Sequence, residues 1–138
     1  MNTETIPPSA PGKGMRIAMI LVRSLMGLLF VVSSVTYLFK LFTPPPLTGA
    51  MKVFNDGIEA SRYLMPTVKV IELVCGLAFL SGRFVPLASV LIAPIIVNIL
   101  LVNVFLLPEG IPLAVFLVLA NAFLAYYHRD SYRPLFRV

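Results

Sequence analysis

Tryptophan is absent from this chain, cysteine and histidine occur once each, and charged side chains make up only 12% of its 138 residues. A lone Cys75 excludes an internal disulfide and a Cys-x-x-Cys redox pair. A lone His128 excludes a bis-histidine haem or a zinc cluster built by this chain alone. No metal-ligand spacing, glycine-rich phosphate loop or nucleophile–base pair occurs, so there is no self-contained catalytic constellation and no cofactor bound by this chain alone. So little charge against 59% hydrophobic residues is unlike a soluble domain of this length. The formal charge of +5 sits at the edges of apolar runs, which is the pattern of membrane orientation and not of nucleic-acid binding.

What the chain does have is long apolar runs. They predict an all-α integral membrane four-helix bundle, with spans at about residues 16–40, 66–80, 84–107 and 111–127. Residues 1–14, polar and rich in Pro and Gly, read as a disordered tail. The first apolar run is too long for a secretory signal and lacks a convincing Ala-x-Ala site, so it reads as a retained span. Pro44, Pro45 and Pro46 stop it. In the outer loop, 43–65, the apolar Met51, Phe54, Ile58 and Met65 alternate helically with Lys52, Asp56, Glu59 and Arg62. That pattern fits an interfacial helix; Gly57 fits an irregular loop instead, and both readings stand. Pro94 falls inside the third span, where it should kink the helix. Residues 129–138 form a basic tail.

Four spans place both ends of the chain on one side. Lys13, Arg16, Arg83, Arg129, Arg133 and Arg137 flank that side and Lys40, Lys52 and Arg62 the other. The excess of basic residues predicts cytoplasmic termini, in a bacterial-type inner membrane.

A few polar side chains lie within the spans. Arg23 and Glu72 are ionisable and deep; Lys69 is shallower and can extend outward along its stem. A charge at such depth normally faces the bundle and finds partners. Counting 1.5 Å per residue puts the Cα levels of Arg23 and Glu72 roughly 7 Å apart, a gap an arginine can span, so the two are expected to pair. Asn98 and Asn121 fall near the level of Glu72, Ser34 contributes a hydroxyl, and Gly76 lets a neighbouring helix approach closely. Arg23, Glu72, Asn98 and Asn121, with Ser34, Lys69 and Gly76 around them, form either a structural polar network or a site for a proton, a quinone or another small apolar ligand. Cys75 reads as an inert buried thiol.

The runs Arg23-Ser-Leu-Met-Gly27, Glu72-x-x-x-Gly76-x-x-x-Leu80-Ser-Gly-Arg83 and Pro86-Leu-Ala88-x-x-Leu91-x-Ala93-Pro94-Ile-Ile-Val-Asn98, with the Tyr-Arg-Pro-Leu-Phe ending, resemble the DoxX and DoxX-like membrane proteins. The resemblance spans about Arg23 to Phe136. It implies a four-helix membrane bundle and a role in membrane-associated redox complexes, the family's namesake being a small subunit of a thiosulfate:quinone oxidoreductase. Many members have Gly-x-x-Lys near the end of the first helix; Ser34 and Tyr37 stand there in this chain, with Lys40 one turn later. The function this implies is an accessory subunit of a quinone-linked membrane oxidoreductase, with other redox subunits or further copies of itself as partners. The alternatives are a non-catalytic scaffold and a carrier of small apolar ligands.

Overall fold

A computed structural model describes residues 12–136. Most of the expected N-terminal tail, residues 1–11, and Arg137 of the charge count lie outside the described residues.

Four long helices form the bundle: α1 (Lys13–Leu38), α3 (Leu64–Ser81), α4 (Val85–Phe105) and α5 (Ile111–Tyr127). Each is long and apolar enough to cross a membrane, α5 together with the short turn that precedes it. A fifth helix, α2 (Gly49–Ser61), does not join the core and buries no residue. A single turn, α6 (Arg129–Tyr132), follows α5.

Helix ends follow from local chemistry. Gly82 caps α3 in the left-handed conformation at φ 74°, and its N–H bonds to the Ala78 carbonyl. Beyond the turn, Pro86 occupies the first turn of α4, where a missing N–H costs nothing. α4 continues through Pro94 without interruption. α1 starts at Lys13, so Lys13 and Gly14 belong to the helix rather than to a tail.

α1 packs against α3, α3 against α4 and α4 against α5, and a lighter α1–α5 contact closes the ring. The buried stripes obey helical spacing: Met19, Met26 and Phe30 on α1, Cys75 and Phe79 on α3, Val85, Ala88, Ile92 and Ile96 on α4, Leu117, Ala120 and Leu124 on α5. The outward faces are also apolar, as at Leu21 (65% exposed) and Leu119 (64%). Helices apolar on both faces need lipid around them.

The tightest crossing joins α1 and α3 at Gly27 and Gly76. A Cβ on Gly27 would lie 2.8 Å from the Gly76 carbonyl oxygen, and one on Gly76 would lie 2.8 Å from Val31. The missing side chains let the two backbones touch, the usual device of membrane helix packing.

Candidate functional site

The ring is not filled along its whole length. Towards the end that carries α2, the helices enclose a half-open cavity of 1210 Å³. Phe30, Val68, Ile95, Val102 and Leu117 line it from the four spans, and Met51, Phe54 and Ile58 of α2 lie across it. α2 packs onto α3. Its apolar stripe therefore has the cavity to face, which resolves residues 49–61 as helix despite Gly57, beside which there is open space.

The polar groups of this cavity centre on one ion pair. Glu72 is 3% exposed, and its Oε2 accepts a hydrogen bond from Lys69 Nζ at 3.0 Å. Lys69 Nζ also donates to Ser33 Oγ on α1 at 2.9 Å and stands 5.8 Å from the centre of the Tyr37 ring. Lys69 therefore turns into the bundle instead of extending outward. An ammonium has three N–H donors, so one remains beyond these two bonds. Asn98, exposed to the cavity from α4, and Asn103, half-buried one and a half turns on, add amides. The cation over the Tyr37 ring thus comes from α3. Lys40 lies past the end of α1 with a left-handed backbone and does not line the cavity.

Arg23 is not the partner of Glu72. In a helix the Cα–Cβ bonds tilt towards the N-terminus. α1 and α3 are antiparallel, so Arg23 leans towards the start of α1 while Glu72 leans the other way, onto Lys69. The guanidinium reaches the far turn, where a Cβ on Gly82 would lie 2.5 Å from Arg23 Nη1. Asn121 is also away from the cavity; its Nδ2 donates to the Ser89 carbonyl at 3.2 Å, tying α5 to α4. Gly76 is buried in the α1–α3 crossing with the free thiol of Cys75 beside it in the chain, and Ser34 is buried on α1 with its hydroxyl unpartnered among the described residues. Of the four residues expected together, the structure gathers Glu72 and Asn98 in one place and leaves Arg23 and Asn121 in the other half.

The DoxX family model matches residues 18–104, from near the start of α1 to the end of α4. The chain belongs to the DoxX family. No curated protein and no solved structure matches it.

In this DoxX chain the end opposite α2 holds a second polar group. Arg23 Nε, Ser89 Oγ, Asn121 Oδ1 and His128 Nε2 are buried without a hydrogen-bond partner among the described residues. Burial pushes the His128 imidazole below its ordinary value, and the nearby Arg23 charge pushes the same way. The Tyr132 hydroxyl donates to the Pro86 carbonyl at 2.8 Å, which folds α6 back onto α4.

Chemically, the cavity pairs a large apolar volume with a few hydrogen-bonding groups at its depth. Pockets for drug-sized ligands run to roughly 300–1,000 Å³, so this one has room for a headgroup and part of a chain. Lys69 and the Asn98 amide can donate to carbonyl oxygens and Glu72 can accept; Asn103 Nδ2 donates to the Ile99 carbonyl at 2.7 Å, which leaves it one N–H. Asn103 and, on α2, Asn55 were not among the sequence candidates. An asparagine in an otherwise apolar helix was the available signal for the first, since Asn103 follows Asn98 on α4. Nothing marked the second before α2 was known to lie over the cavity.

Proposed function

We propose that this DoxX protein is an accessory subunit of a quinone-linked membrane oxidoreductase and that its cavity receives the quinone. The observation that carries the reading is the half-open, apolar cavity whose polar groups converge on Lys69, Glu72 and Asn98. A quinone has two carbonyl oxygens on an apolar body, which suits donors at the bottom of a lipid-accessible volume. The ion pair is neutral as a whole, so it places donors deep in the bilayer at less cost than a lone charge. Lys69, Asn98 and Asn103 orient the headgroup, and α2 covers it. Electron transfer belongs to a partner subunit carrying flavin, haem or another redox centre, because one cysteine and one histidine give this chain little with which to hold one.

The orientation that goes with this reading has both termini in the cytoplasm and α2 at the outer face of a bacterial-type inner membrane. Around the end away from α2 the described residues carry Lys13, Arg16, Arg23, Arg83, Arg129 and Arg133 against Asp130 alone. At the α2 end Lys40, Lys52, Arg62 and Lys69 are matched by Asp56, Glu59, Glu72 and Glu109. The whole positive excess of the described chain is thus at one end, the one expected inside.

The test is a thermal melt of the detergent-purified protein with short-chain ubiquinone and menaquinone analogues. A ligand-dependent rise in Tm is expected, and it should be clearly smaller in Asn98→Leu at the same ligand concentration. No shift with either analogue contradicts quinone binding. Gentle solubilisation at native expression tests the complex: a coloured partner should co-purify, and a colourless chain eluting alone contradicts the accessory role.

A scaffold role is the second reading, favoured by the closure of Glu72 within the protein through Lys69 and Ser33. In that case Glu72→Gln lowers protein level or partner recovery, and no quinone analogue shifts the melt.

A further inference from the structure

The cavity leaves the other end of the bundle without a role. There Arg23 projects from α1 onto the α3–α4 turn, its guanidinium against the Cα of Gly82. Its Nε is buried and unpartnered, and no carboxylate among the described residues pairs with it. The described carboxylates other than Asp130 are all at the α2 end, and Asp130 is taken by Arg133 at 3.3 Å. His128 stands at the end of α5, near enough to feel the Arg23 charge. Its ring packs edge-on to Tyr127, with centroids 5.1 Å apart, and its Nε2 too is buried and unpartnered. Asn121 lies two turns earlier on the same face of α5.

The bland explanation is that Arg23 caps the C-terminal carbonyls of α3. It does not account for the geometry: the Ala78 carbonyl is taken by the Gly82 N–H at 3.0 Å and by Ser81 Oγ at 3.2 Å, and among the described residues Arg23 donates no hydrogen bond to any of the α3 end carbonyls. A guanidinium without a carboxylate, in a basic rim, is the chemistry that takes phosphate in a two-pronged hydrogen bond. Depth selects the source. Arg23 Cα lies roughly 9 Å inside a boundary near Ile17, and its side chain runs back towards that boundary, which sets the charged head at headgroup level.

We propose that Arg23 and His128, with the Arg83 side chain beside them, form a binding site for a phosphate group, supplied by the headgroup of an anionic phospholipid in the leaflet at this end. The basic rim of Arg16, Arg83 and Arg129 gathers such lipids, and Arg23 holds one between α1 and the α3–α4 turn. Bound there, the lipid tethers α1 to α3 and α5 at the end that holds all but Ser34 Oγ of the buried unpartnered side-chain atoms among the described residues. This site is independent of the quinone reading, since no residue is shared.

The test uses the full chain in neutral detergent, with thermal melts in phosphatidylglycerol, phosphatidylcholine and inorganic phosphate. Phosphatidylglycerol should raise Tm well beyond phosphatidylcholine, and Arg23→Gln should weaken its apparent affinity roughly fivefold. Lys52→Gln, at the α2 end, should leave it unchanged. A rise with inorganic phosphate alone that Arg23→Gln abolishes also supports the phosphate site and makes the free anion its source. Equal responses to the two lipids with no response to phosphate overturn the proposal, as does an apparent phosphatidylglycerol affinity that is undiminished in Arg23→Gln. Should Arg23→Gln fail to fold, Arg23→Lys keeps the charge but loses the fork, and native mass spectrometry of the wild type must still show phosphatidylglycerol retained over phosphatidylcholine.

Discussion

Lys69 Nζ lies 3.0 Å from Glu72 Oε2, three residues along the same helix, with Glu72 buried and Lys69 partly buried. The carboxylate at the centre of an apolar span is thus neutralised from within α3, and Ser33 links the pair to α1. Removing one member leaves the other as an uncompensated charge. Lys69→Met and Glu72→Gln should each destabilise the protein, Lys69→Met by about 3 kcal/mol because it strands a carboxylate, Glu72→Gln by less because an amide can still accept a hydrogen bond. The double variant should lose far less than the two together. Reversible unfolding in detergent, arranged as a double-mutant cycle, measures this; additive losses would mean that the two residues do not act as a pair.

Close packing at Gly27 and Gly76 makes a second prediction, with opposite signs at two glycines. Gly27→Ala forces a methyl onto the Gly76 carbonyl and should cost about 1–3 kcal/mol. Gly57→Ala, with open space around it on α2, should stabilise by up to about 1 kcal/mol because alanine is the better helix former. The same unfolding assay reads both.

His128 gives the pH dependence. Burial first, and Arg23 second, hold its folded pKa below the ordinary value of 6.5. The unfolded chain therefore takes up its proton at a higher pH than the folded one. The stability this contributes is fully present above about pH 6.5 and is lost as the pH falls from there to the folded pKa. The Tm should drop between pH 8 and pH 5.5, and His128→Gln should remove that part of the drop. An identical profile in the variant would show that His128 is not the titrating group.

These predictions rest on features that were unequally legible in the residues. The four spans were readable because apolar runs and breaks at Pro44–Pro46, Gly82 and Pro108 leave few other folds. Residues 49–61 were ambiguous because Gly57 weighs against helix locally, while the gain from laying Met51, Phe54 and Ile58 over a cavity is tertiary. The expected Arg23–Glu72 pair shows a different limit. Counting residues gives Cα heights, but antiparallel helices lean their side chains in opposite directions, so two groups at similar heights can diverge. Lys69 was the better partner on spacing alone, lying one turn N-terminal to Glu72. The cavity itself had no signature, since it arises where the spans fail to fill the ring at the α2 end.

Asn98 separates ligand binding from stability. It is exposed to the cavity, so Asn98→Leu should change the unfolding free energy by less than about 0.5 kcal/mol. Affinity for a quinone analogue should nonetheless fall roughly tenfold, as for a lost hydrogen bond to a carbonyl. A stability loss matching the affinity loss would make Asn98 a structural residue.

The most direct measurement is photo-crosslinking of the purified chain with an azido-quinone, followed by peptide mapping. Adducts are expected on the cavity walls, within residues 28–37, 51–58, 64–72 and 94–103, and unlabelled quinone should compete them away. Label confined to lipid-facing positions such as Leu21, Leu77 and Leu119, undiminished by competitor, would contradict a quinone site in this bundle.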